Sequence, residues 1–225
     1  MPWFWQVERK RKTFIARPMP GPHKLAECIT VDFLLREFLD CAKIKKEVKH
    51  IVHNKKVLID KRAVKDIRFP VGLMDIVDVP SMNEYYRVML NEEGKLKLAK
   101  IKKEDSNAKL CKIINKTALK KNKLQLNLID GRNVIVDKDS YKVGDTVAVD
   151  LATNKIKNHL KLEAGAVVLL MGGKHIGKMG IVSNIAEQSG MRKPMVTFKD
   201  KNNDSYETLK EYCYVINKDI ENEKN

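Results

Sequence analysis

Basic side chains crowd one side of the segment 44–53. Wound at 3.6 residues per turn, Lys45, Lys46, Lys49, His50 and His53 share one sector, while Ile44, Val48, Ile51 and Val52 share the opposite one. Glu47 is the single acid at the edge of the basic face. Like charges four residues apart, as at Lys45 and Lys49, cost a helix about 0.2–0.5 kcal/mol. A face that accepts this cost points to an anionic partner, and to nucleic acid first. A second stretch, Gly172-Gly173-Lys174-His175-Ile176-Gly177-Lys178-Met179, invites a phosphate-loop reading. That chemistry needs a Ser or Thr after the lysine to hold magnesium, where Met179 stands, and a helix to follow, where Gly180-Ile181-Val182 reads as a strand. The glycines instead suit a strand–loop–strand in which the backbone bends sharply or is closely approached. Four cysteines, at 28, 41, 111 and 213, show no metal-ligand spacing and have no neighbouring base. Asp130 lies in a turn and Asp145 beside Gly144. No catalytic residue, metal site or cofactor is expected.

The elements that must position these residues follow from the pattern of the chain. Val31, Leu34, Leu35, Phe38 and Leu39 keep helical spacing, with Thr30 able to cap and Asp32 in the first turn. The Cys41-Ala42 link turns this helix back on the 44–53 helix. Val57-Leu58-Ile59 and Asp75 to Val79 read as strands around an Asp60-Lys61-Arg62 turn. Further strands are expected at 85–90 and 96–101, with a loop at 104–109. Asp130-Gly131 between alternating apolar runs is the strongest hairpin signal. A turn and another strand are expected over 142–149, and strands at 166–171, 195–198, from Tyr206 onward and at 212–216, with a turn around Asn202-Asn203-Asp204. Short strands at this spacing suggest small barrels. The fold class is α+β, mostly β.

The chain carries 44 basic and 29 acidic side chains, a net charge of +15, which favours a polyanionic partner. Residues 1–80 and 81–125 each contribute a net +7, whereas 126–170 are balanced, so the electrostatic footprint lies in the first 125 residues. Lys112, Lys116, Lys120, Lys121 and Lys123 are read as part of that surface charge. No apolar run reaches eighteen residues, so no membrane association is expected, and the start lacks the order of a signal peptide. Isolated cysteines fit reduced thiols in a cytoplasmic protein. The first residues read as an extended arm. It carries a basic knot, Arg9, Lys10, Arg11 and Lys12, then Arg17 in a Pro-rich run. Trp3, Phe4 and Trp5 are available to stack or wedge against RNA.

The order of these pieces resembles a known family. The stretch 31–79 resembles the alpha-L RNA-binding motif, and Gly172–Val182 resembles a KOW motif. Pro20-Gly21-Pro22-His23-Lys24, Phe69-Pro70-Val71-Gly72-Leu73-Met74-Asp75-Ile76-Val77 and Lys210-Glu211-Tyr212 resemble the S-four-e family of small ribosomal subunit proteins. The resemblance implies an extended arm (1–30), an alpha-L domain (31–80), a central barrel-like β domain (81–163), a Src-homology-three-like KOW barrel (164–217) and a frayed tail (218–225). It implies a structural, non-enzymatic protein on the cytoplasmic ribosome, not a homo-oligomer. Its partners would be small-subunit ribosomal RNA and neighbouring ribosomal proteins. The RNA face would comprise Lys45, Lys46, Lys49 and His50, then Lys55 and Lys56, with Arg62, Lys65 and Arg68 nearby. His23 and Lys24 follow from the Pro-Gly-Pro match, and Lys174, His175 and Lys178 from the glycine loop. An RNA-modifying enzyme anchored by the alpha-L motif, or a free RNA-binding regulator, are the competing readings. The first needs an acid or nucleophile with a partner in a pocket.

Overall fold

The computed structural model describes Trp5, Val7 and residues 14–120, 122–137, 139–186, 193–200 and 204–217. Trp3, Phe4, the basic knot Arg9 to Lys12, Lys121, Asn202, Asn203 and the tail 218–225 lie outside the described residues. The chain divides into two compact units. One is Met1–Met89 with Lys95–Lys109 and Leu151–Thr153; the other is Leu90–Gly94 with Leu110–Asp150 and Asn154–Asn225.

The first unit is built on two short helices and two antiparallel sheets. Cys28–Thr30 (β1) leads into helix α1, Val31–Phe33, where the Thr30 hydroxyl accepts the Phe33 N–H at 3.2 Å. The winding then widens. Leu34–Phe38 is a π turn in which the Leu39 N–H donates to the Leu34 carbonyl at 3.1 Å. The helix expected over 31–39 is therefore one α turn and one π turn, with the consecutive Phe33, Leu34 and Leu35 all buried. Helix α2, Lys45–His53, buries Val48 and Val52. Ile44, expected in the same stripe, is 52% exposed. It stands at the N-cap in extended conformation, before helical spacing begins. Trp5, expected to face RNA, is instead buried, stacked on Phe33 with ring centroids 5.8 Å apart and donating to the Cys28 carbonyl at 2.9 Å. A large indole with a partner for its N–H is more stable inside than in water.

Leu58–Ile59 (β2) and Arg62–Ala63 (β3) form a tight hairpin. Asp60 and Lys61 between them both have positive φ, as a two-residue turn that follows the strand twist requires. Pro70–Gly72 (β4) pairs with β1. Ile76–Val79 (β5), Glu84–Leu90 (β6) and Leu96–Ile101 (β7) complete a sheet of order β3-β2-β5-β6-β7. The loop expected at 104–109 is a 3-10 turn, Asp105–Asn107, and its last residue, Lys109, is buried.

The second unit holds two five-stranded antiparallel sheets. Ala108–Ala118 (β8), Leu124–Leu128 (β9), Asn133–Val136 (β10), Thr146–Asp150 (β11) and Ile156–Leu160 (β12) take the order β10-β9-β8-β11-β12. The Asp130-Gly131 hairpin forms where expected, with Gly131 at φ +75 and the Leu128 N–H donating to the Arg132 carbonyl at 2.9 Å. Cys111, Ile113, Leu126, Leu128, Val147 and Val149 form the core of this sheet. Val167–Leu170 (β13), Met179–Ala186 (β14), Met195–Lys199 (β15), Ser205–Leu209 (β16) and Cys213–Val215 (β17) take the order β16-β15-β14-β13-β17. Their core is built around Val168, Leu170, Val182, Val196, Phe198 and Val215. The glycine stretch joins β13 to β14 as an antiparallel pair, with Leu169 opposite Met179. A strand stands where a phosphate loop would need a helix. Gly177 has φ +81, and any Cβ there would fall on the Asn91 carbonyl oxygen.

Lys112 corrects the reading of 112–123 as continuous surface charge. Its Nζ is buried and donates to the carbonyls of Glu211 at 2.7 Å and Cys213 at 2.6 Å. Burial pushes its pKa down to about 8.

Candidate nucleic-acid interface

Helix α2 exists because Val48 and Val52 are drawn inside, and that same burial turns Lys45, Lys46, Lys49 and His50 outward, all exposed. Its N-terminus is held by Glu47. The carboxylate accepts the N–H of Lys43 at 2.8 Å and of Ile44 at 3.2 Å, and these bonds lower its pKa. An acid there satisfies open helix donors and sits at the positive end of the dipole. The lone acid of the segment is thus occupied with the helix end rather than with the cations of the outward face. At the other end the Asn54 amide donates to His50 Nε2 at 2.9 Å, and His53 Nδ1 donates to the Lys49 carbonyl at 2.7 Å. The chain leaves the helix through Lys55, at φ +53, so Lys55 and Lys56 are both exposed just past its C-terminus.

Arg62 is exposed on the edge strand β3, and Lys65 on the loop that follows. Arg68 is exposed but engaged by Asp66, at 3.1 Å from Nη2 to Oδ2. The Arg68 guanidinium, with Lys45 as a weaker influence, holds the Asp66 carboxyl below its ordinary range. The loop 66–68 therefore lies within electrostatic reach of the start of α2. Arg17 and Lys24 are exposed on the arm, Lys24 beside Glu27 at 3.7 Å.

His23 is placed differently. Its side chain is 6% exposed, and Nε2 lies 2.8 and 2.9 Å from the two carboxylate oxygens of Asp75. Asp75 also accepts the Gly72 N–H at 2.9 Å and the ammonium of Lys109, which in turn binds Asp60 at 2.7 Å. Asp60 accepts the Ile76 N–H at 3.0 Å. Burial would raise both carboxyls. Lys109 and His23 reverse this at Asp75, whose pKa is well below the ordinary value, while burial and the neighbouring Asp75 leave Asp60 raised. This network ties the arm, the hairpin turn, β5 and the entry to β8 together. Sequence reading missed it because its ion pairs join residues 34, 49 and 52 positions apart, and no local pattern marks them.

The glycine loop of the second unit presents Lys174, which is exposed. His175 packs on Tyr206 with ring centroids 4.5 Å apart. Lys178 lies over the same ring, 4.6 Å from its centroid, and 3.3 Å from Asp200, whose hydrogen bond raises the lysine's pKa. The loop thus offers one open cation and a second held against its own sheet. The four cysteines are free thiols, and burial pushes Cys28 and Cys213 up to about 11, far from thiolate chemistry at neutral pH. Among the described residues no cluster of His, Cys, Asp or Glu is arranged to hold a metal ion, and no helix is long and apolar enough to cross a membrane.

The model of the ribosomal family S4e matches residues 82–156. The small ribosomal subunit protein eS4 of Methanococcus vannielii is 37% identical over 223 residues, covering 96% of this chain and 90% of that protein. The protein of the same description from Methanocaldococcus jannaschii is 37% identical over 220 residues, covering 94% and 89%. The crystal structure of the 30S ribosomal protein S4e from Thermoplasma acidophilum superposes with a TM-score of 0.72 at 30% identity, covering 84% of this chain and 95% of that one.

Proposed function

The chain belongs to the ribosomal S4e family and is a structural constituent of the small ribosomal subunit, and from that premise we propose that it grips ribosomal RNA through the outward face of α2 and the loops beside it. The contacts are Lys45, Lys46, Lys49 and His50, continued by Lys55, Lys56, Arg62, Lys65 and Arg68, with Arg17 and Lys24 on the arm and Lys174 on the glycine loop. One observation carries this reading: α2 buries Val48 and Val52 while Lys45, Lys46, Lys49 and His50 are exposed, with Glu47 the one acid among its outward positions. Such a face neutralises phosphates and releases their counterions, while groove shape sets the position. His23, engaged by Asp75, serves the interior, and Lys178 is partly neutralised by Asp200.

The alpha-L and KOW identities of 31–79 and 172–182 belong to this proposal, as do the domain limits of the arm, alpha-L, central and KOW segments. The family is not an enzyme family. A role without turnover, as one copy per small subunit among neighbouring ribosomal proteins in the cytoplasm, fits the occupied carboxylates and unreactive thiols. The test is binding of the purified chain to small-subunit rRNA across a salt series. Each phosphate contact contributes roughly 0.7–0.9 to the log–log salt slope. Lys45→Glu/Lys46→Glu/Lys49→Glu should flatten that slope by about two to three and abolish incorporation into the subunit. Normal incorporation of the triple variant defeats the proposal.

A further inference from the structure

Between Phe14 and Glu27 the arm takes a fixed course over the first unit. The Met19 N–H donates to the Arg68 carbonyl at 3.0 Å. Gly21 runs so close to Pro70, and Gly72 so close to the His23 ring, that a Cβ at either glycine would collide. The buried His23–Asp75 contact then pins the arm from below. Held this way, Arg17, Pro18, Met19, Pro20, His23 and Leu25 enclose an open crevice of about 270 Å³. Among the described residues its lining includes no carboxylate. Arg17 is exposed at its rim, Leu25 is 45% exposed, and Phe14, three residues before Arg17, is 90% exposed. An aromatic ring left in water, a cation and an apolar hollow recur together in proteins that take single nucleotides. There the base leaves its stack for apolar or aromatic surface and the phosphate meets a cation.

We propose that this crevice is a second RNA site, which receives one unstacked base against Pro18, Met19, Pro20 and Leu25, with its phosphate on Arg17 and Phe14 free to stack on the adjacent base. The site rests on the ribosomal-RNA reading above and adds to it a single-stranded or extruded nucleotide. An apolar side chain of a neighbouring protein would fill the hollow equally well but would leave the rim cation and the absence of acids without a use.

The test uses the full chain with methyl-labelled methionine, titrated with AMP, with ribose 5-phosphate and with N-acetyl-leucine amide as probes. The Met19 methyl signal, assigned with Met19→Leu, should move upfield with AMP through the ring current and stay in place with ribose 5-phosphate. Leu25→Asp and Arg17→Gln change exposed side chains and should each weaken the AMP response on the order of tenfold. Equal responses to AMP and ribose 5-phosphate, a response to the leucine amide alone, or no response at Met19 would each overturn the assignment. Failure of the parent reading is seen separately: it is loss of salt-sensitive rRNA binding by the unmodified chain, which these titrations do not measure.

Discussion

Replacing Lys109 by Met keeps the length of the side chain and removes the only ammonium between Asp60 and Asp75 in the described structure of this network. The lysine is 1% exposed, so water cannot take its place without opening the unit. Each charge-assisted bond of this kind contributes about 1.5–3 kcal/mol. Removing one member of a buried ion pair costs about 3–5 kcal/mol, because the partner charge stays behind. Asp75 keeps His23 and the Gly72 N–H, and Asp60 keeps the Ile76 N–H, so the lower half of that range is expected at pH 7. Asp60 already has a raised pKa, from burial and from Asp75, and is the carboxyl that will take a proton when the lysine is gone. The loss should therefore shrink as the pH falls toward 5, and Lys109→Met/Asp60→Asn should recover much of it. Trp5 is buried in the first unit, so urea unfolding followed by tryptophan fluorescence reads this unit. A cost under about 1 kcal/mol at pH 7, or a double variant no more stable than Lys109→Met alone, refutes the reasoning.

Three other outcomes are expected. Burial would raise the Asp75 carboxyl, but Lys109 and His23 hold it low. Its contribution is then complete above the unfolded carboxyl pKa of about 3.9 and is lost as pH falls through the lower folded value. Acid titration of tryptophan fluorescence should show a steep loss below about pH 4 that Asp75→Asn flattens. Lys112→Met removes the donor shared by the Glu211 and Cys213 carbonyls and should destabilise the second unit by about 1–3 kcal/mol, measured by urea unfolding followed by circular dichroism. Gly177→Ala combines positive φ with a collision at the Asn91 carbonyl and should cost at least about 1–3 kcal/mol in the same assay, whereas Gly165→Ala, with positive φ and open space around it, should cost less.

Local signals carried much of the fold. The Thr30 cap, the Asp130-Gly131 hairpin and the strand re-entry at Gly180 are set by residues within a few positions of each other, and each formed as read. The cationic side of α2 was legible for the same reason, since its apolar and basic sectors alternate with one period. What escaped was decided by distant partners. Nothing around Lys112 separates it from the lysines that follow; only the carbonyls of 211 and 213 do. Trp5 reads as a spare aromatic until Phe33 and the Cys28 carbonyl are beside it. Ile44 matches the helical period but precedes the first helical residue, an end effect that periodicity does not resolve. The crevice of the arm was visible only as a Pro-rich run, because its depth comes from how the chain is pinned, not from the residues that line it.

The chain supplies Lys109 late. Asp60 leaves the synthesising ribosome 49 residues before the ammonium that compensates it, and Leu151, which completes the first unit, comes later still. At roughly 5–20 residues per second, about 2–10 s pass between the synthesis of Asp60 and that of Lys109. The Lys109 contacts to Asp60 and Asp75 form only after the start of β8 has been made. Synthesis order thus places the arm's own contacts, at Arg68, Pro70 and Asp75, ahead of the ammonium that compensates the carboxylates beneath it.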